Sequence, residues 1–125
     1  MLKAILVLTL CASSVCAQST ASENFTAKMV NGRGWVLMSD VQKFTYLTGI
    51  KDILFAIQPE NAKMFSVDGF RTDETAKSID LFYAVPENLR IPIVFALSVS
   101  SAKFKGASQA QLDTITADLR KTAAQ

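Results

Sequence analysis

Two prolines six residues apart, Pro86 and Pro92 in "IDLFYAVPENLRIPIVFAL", constrain this chain more than any other feature. Proline fixes φ and lacks a backbone N–H, so neither a helix interior nor a central strand runs through these positions. Residues 87–91 therefore form a tight corner between two apolar segments. Pro86 ends the first segment. Pro92 suits the first turn of the next helix, where a missing N–H costs nothing. The apolar run Ile91–Val99 is far short of the roughly 20 residues that a bilayer span requires. It reads as part of a helix carrying Ile93 to Lys105, stopped by Gly106, with Val94, Leu97, Ser101 and Phe104 as its seam. A buried strand, "IVFALSV", is the competing reading, because short apolar runs fit either period.

The remaining elements follow from capping and periodicity. Ser39 and Gln42 form an S-x-x-Q capping box, which predicts a helix from near Asp40 to about Ile57, bent near Gly49 and stopped by Pro59. Val41, Phe44, Leu47 and Ile50 step along it as the expected core stripe. Arg33–Met38 reads as a short helix leading in, with a strand over "WVLM" as the alternative. "QPENAKMFSVDGF" is a connecting loop with a turn at Asp68–Gly69. Thr72 is the expected N-cap of a third helix, with Asp73 and Glu74 at the positive end of its dipole. Ala76, Ile79, Phe82 and Tyr83 share a face of that helix. Ser108 and Gln111 form a second capping box, opening a helix lined by Leu112, Ile115, Thr116 and Leu119. Arg120 and Lys121 suit its C-terminal end. The expected fold is all-α, a single small bundle of about four main helices.

The chain starts "MLKAILVLTLCASSVCAQST", with a basic residue, an apolar stretch and small residues before Gln18. This is the pattern of a secretory signal peptide over residues 1–17, cut after Ala17. Residues 18–30 are then a flexible lead-in, and 31–125 a single helical domain. The protein is expected to be exported, periplasmic or secreted. "NFT" at Asn24 is a formal glycosylation sequon. Both cysteines, Cys11 and Cys16, leave with the leader. No disulfide then staples the domain, and packing must hold it together. The chain has no histidine, which removes Ser-His-Asp catalysis and His-based zinc sites. The leader takes the thiols, and with them Cys-based chemistry. The formal net charge of the 125-residue chain is +2, without a basic block or acidic tail. Nucleic acid is therefore not an expected partner.

"GRGW", Lys43, Tyr46 and Gly49, and the corner residues Phe82, Tyr83, Pro86, Asn88, Ile91, Pro92 and Ile93 together resemble a group of small secreted bacterial proteins. Their pattern is a Gly/Trp start, a K-x-x-Y-x-x-G helix and an F-Y-x-x-P-x-N-x-x-I-P-I corner. That resemblance spans roughly residues 31–121 and implies an exported class without a mechanism. Trp35, the Lys43–Tyr46–Gly49 spacing and the closing amphipathic helix are also similar to the Tai-type immunity proteins, small helical periplasmic inhibitors of amidase toxins. Those proteins usually carry cysteines, which this chain loses with its leader. This second resemblance implies a protein partner.

Trp35, Tyr46, Tyr83, Asn88 and Arg90 are the candidate interaction residues. Each also has a structural reading. Trp35 caps the core, each tyrosine buries its ring and bonds one partner, and Asn88 bonds nearby backbone. Arg90 pairs with Glu87 or Asp80. Asp80 and Glu87 are the best paired carboxylates, but scattered helical acids are ordinary. Asp113 and Asp118 read as solvated surface. Gly32-x-Gly34 is too short for a dinucleotide fingerprint, and Lys103 and Lys105 around Phe104 do not make a nucleic-acid patch. The expectation is a non-catalytic exported binding protein, inhibitor- or immunity-like, without cofactor, metal or membrane span. A self-associating envelope protein is the first alternative, and a carboxylate-dependent hydrolase the second.

Overall fold

The computed structural model describes residues 22–57 and 71–125. The expected leader with both cysteines, and the loop carrying Pro59 and Asp68–Gly69, lie outside the described residues. The described chain is helical apart from one small hairpin, β1 (Phe25–Thr26) and β2 (Met29–Val30). Five helices follow: α1 (Gly32–Val36), α2 (Asp40–Ile57), α3 (Thr72–Tyr83), α4 (Ile93–Phe104) and α5 (Gln109–Ala123). A 3-10 turn, Pro86–Asn88, makes the corner between α3 and α4. The all-α bundle of four longer helices thus stands. Neither alternative strand forms: "IVFALSV" is helix, and "WVLM" is the end of α1 at Val36 followed by a turn at Leu37 and Met38.

The helix ends have the local causes that the residues dictate. Gln42 N donates to Ser39 Oγ, and Ser39 N donates to Gln42 Oε1, closing the first capping box. Ser108 and Gln111 close the second in the same way. Each satisfies two backbone N–H groups that the helix itself leaves without partners. Pro92 is the N-cap of α4, and Gly106, at φ 87°, ends the chain's turn out of it. The third helix differs by one residue. Arg71 is its N-cap, without a side-chain capping bond, and Thr72 is its first residue.

A hairpin lies within the expected lead-in, over residues 25–30. Phe25 pairs with Val30 and Thr26 with Met29 across a two-residue turn in which Ala27 and Lys28 have φ of 50° and 65°. Asn31 locks it to the domain. Its side-chain Nδ2 donates to Glu23 O and Thr26 Oγ1, while Oδ1 accepts from Arg33 N and Gly34 N as the N-cap of α1. One antiparallel bridge joins Asn31 to Pro92, and Arg33 N donates to Leu89 O. The start of the domain is therefore docked on the proline corner.

α3 is the hub, packed against α1, α2 and α4, while α5 lies on α4 and on the corner turn. Trp35, Leu47, Ile79, Tyr83, Ile93, Ala96 and Leu97 form the buried core. Burying one such aliphatic side chain stabilises by about 1.5–3 kcal/mol before entropy is subtracted. Two expected stripes are corrected. On α2, Val41 and Phe44 are 75% and 51% exposed, whereas Leu47 is buried and Tyr46 and Ile50 pack on the core. On α4 the inward seam is Ile93, Ala96, Leu97, Ser100 and Ser101, and Phe104 is largely exposed. No helix among the described residues is long and apolar enough to cross a membrane.

Candidate functional site: a groove between α3, α4 and α5

Three of the five candidate interaction residues are inside the protein. Trp35 is fully buried, and its indole Nε1 donates to Asp80 Oδ1 at 2.7 Å. Lys43 Nζ donates to the same oxygen at 2.7 Å and sits 5.3 Å from the centroid of the Trp35 ring. Asp80 thus ties α1, α2 and α3 together. Its Oδ1 is occupied by two donors, and neither donor is Arg90.

Tyr83 is also buried. Its hydroxyl donates to Ile91 O at 2.8 Å, across the corner. Burial pushes the Tyr83 phenol far above its ordinary range, with the Tyr46 phenolate adding to the effect. Tyr46 is half-buried, and burial raises its phenol as well. Both rings are therefore neutral at physiological pH, and the Tyr83 hydroxyl keeps its proton for Ile91.

Asn88 is buried at the corner. Its Nδ2 donates to Phe82 O at 2.7 Å, closing the end of α3, and its Oδ1 accepts from Arg120 Nε at 2.8 Å. The second partner lies 32 residues away on α5, which local reasoning about turns could not supply. Asn88→Ala should therefore lower the unfolding free energy by about 2 kcal/mol, the range for orphaning buried partners. Urea denaturation checks this; a change below about 0.5 kcal/mol would mean that water replaces both bonds. Arg90 and Glu87 stand exposed on the tip of the corner.

A concave site opens on the other side of that corner. α3 contributes Ser78, Leu81 and Phe82, the turn Val85 and Asn88, α4 Val99, Ser100 and Lys103, and α5 Leu112, Asp113, Thr116 and Arg120. The spacings of three and four residues put each set on one helix face. The groove encloses about 220 Å³, smaller than the sites that hold drug-sized ligands. Phe82, Val99 and Leu112 give it an apolar floor. Leu81, 66% exposed, and Val85 extend the apolar surface to its lip.

Polar side chains surround that floor: Ser78, Asn88, Gln109 and Thr116 beside the charged Lys103, Asp113 and Arg120. Among the described residues, Ser100 Oγ is the buried side-chain polar atom left without a hydrogen bond, in a residue 4% exposed. Leaving such a hydroxyl without a partner costs about 1–3 kcal/mol. Asp113 Oδ1 accepts from Gln109 Nε2, and Arg120 is fixed through Nε to Asn88. Sequence reasoning did not find this site: Asp113 read as solvated surface, and it is exposed, while Arg120 read as a partner for the helix dipole and also bonds Asn88. The available signal was the small and polar spacing Ser100, Thr116 and Ser78 on otherwise apolar helix faces, which tertiary packing alone brings together. No protein-family model matches this chain, nor does any curated protein or solved structure, so the functional reading rests on the groove itself.

Proposed function

We propose that this protein is an exported, non-catalytic binding protein whose binding face is the groove between α3, α4 and α5. The observation that carries the reading is that groove: an apolar floor, an exposed apolar lip and the polar side chains of α4 and α5 gathered in one concavity. Concave sites that set polar groups around an apolar floor are a usual form of a small-ligand site. Export rests on the leader pattern of residues 1–17. The non-catalytic reading draws on the lack of histidine and on Asp80, whose Oδ1 holds Trp35 and Lys43 in place.

The test is a titration of the ¹⁵N-labelled protein with small neutral, anionic and cationic fragments. Saturable amide shifts are expected to cluster at Ser78, Val85, Val99, Leu112 and Thr116. Saturable shifts confined to another surface, or none up to millimolar fragment, would overturn the reading.

A further inference from the structure

We infer that the ligand of this groove is a small aliphatic monocarboxylate, its chain on the apolar floor and its carboxylate between Lys103 and Arg120. The inference rests on the groove being the binding face. Two cationic side chains and one carboxylate line the site. The carboxylate, Asp113, already accepts a 2.7 Å bond from Gln109. The guanidinium of Arg120 donates through Nε to Asn88 Oδ1 at 2.8 Å, which orients it at the groove. A planar, oriented guanidinium matches a carboxylate by paired N–H bonds. Lys103 is exposed and makes no ion pair among the described residues. It supplies a second, flexible positive charge.

The remaining features narrow the class. A dianion such as phosphate would bring two negative charges against Asp113 where a monocarboxylate brings one, and would leave Phe82, Val99 and Leu112 uncovered. A cationic amphiphile would face two like charges. A neutral alcohol would leave both cations without an anion. A groove of about 220 Å³ suits a short-chain ligand smaller than the drug-sized ones that larger sites hold.

Isothermal titration at pH 7 and low salt tests this on the protein purified as the cell exports it, with octanoate, octan-1-ol and octylamine as probes. Octanoate should bind about tenfold more tightly than octan-1-ol, the effect of one charge-assisted hydrogen-bonded contact, and octylamine more weakly than either. Added salt should weaken octanoate and leave octan-1-ol unchanged. Lys103→Gln, at an exposed position, should lower octanoate affinity several-fold without changing octan-1-ol. Arg120→Gln should lower it further, and circular dichroism checks that this variant remains folded. If octan-1-ol or octylamine binds as well as octanoate, the carboxylate is wrong and the groove reading stands. If Lys103→Gln leaves octanoate unaffected, the assigned anion contact is wrong. If none of the three probes binds, both the ligand class and the groove reading fail.

Discussion

Trp35→Ala should lower the unfolding free energy by about 4 kcal/mol, the range for removing a large aromatic from a packed core. For a small domain with a total stability of roughly 5–15 kcal/mol, that is a large share. The loss has two parts. The indole fills the space where α1, α2 and α3 meet, and its Nε1 is one of two donors on Asp80 Oδ1. A double-mutant cycle separates them. Asp80→Ala alone leaves a buried indole N–H without an acceptor and should cost about 2 kcal/mol. In a Trp35→Phe background no such donor exists, so the same substitution should cost about 1 kcal/mol less. Urea unfolding followed by circular dichroism gives all four values. Strict additivity would mean that the indole–carboxylate bond contributes nothing.

Gly32→Ala is expected to cost about 3 kcal/mol, at the upper end for overpacking, although Ala is ordinarily the better helix residue. A Cβ there would lie 2.4 and 2.5 Å from Cδ1 and Cε1 of Tyr83, and 2.9 Å from the Leu89 Cα. Neither neighbour can easily give way. The Tyr83 hydroxyl is fixed to Ile91 O, its ring lies edge-on to Phe82 with centroids 5.2 Å apart, and Leu89 presents backbone. Gly49 is the internal control. Nothing lies within 4 Å of a Cβ at that position in α2. Gly49→Ala should therefore stabilise by about 0.5–1 kcal/mol. Equal effects at the two glycines, read from thermal or urea unfolding, would contradict the packing of α1 on the corner.

What could be read in the sequence was what local chemistry decides. The capping boxes at Ser39 and Ser108, the corner between Pro86 and Pro92, and the stop at Gly106 each act within a few residues. The misread positions depend on distant partners. Lys43 was not part of the expected stripe, yet it faces inward, because Asp80 on α3 neutralises its ammonium and the Trp35 ring lies beneath it. Turning Lys43 inward rotates Val41 and Phe44 into solvent. The hairpin was hidden because Ala27-Lys28 carries neither the Asn nor the Gly that marks such turns, while Asn31, its anchor, works through contacts on both sides of itself. The groove was hidden for a related reason. Ser100, Asp113 and Arg120 are individually ordinary, and only the packing of α5 on α4 and on the Asn88 turn assembles them. The corner motif that looked most specific, Phe82 through Ile93, proves to hold the fold through Tyr83 and Asn88.

The central claim is that binding belongs to the groove and that the exposed tip of the corner is not the contact surface. The most direct measurement is the fragment titration of the ¹⁵N-labelled protein, repeated on Thr116→Trp, which fills the groove, and on Arg90→Glu, which reverses the charge at the tip. The account predicts that the saturable shifts vanish in Thr116→Trp and persist with unchanged affinity in Arg90→Glu. Shifts that survive a filled groove and disappear with the Arg90 charge would contradict it.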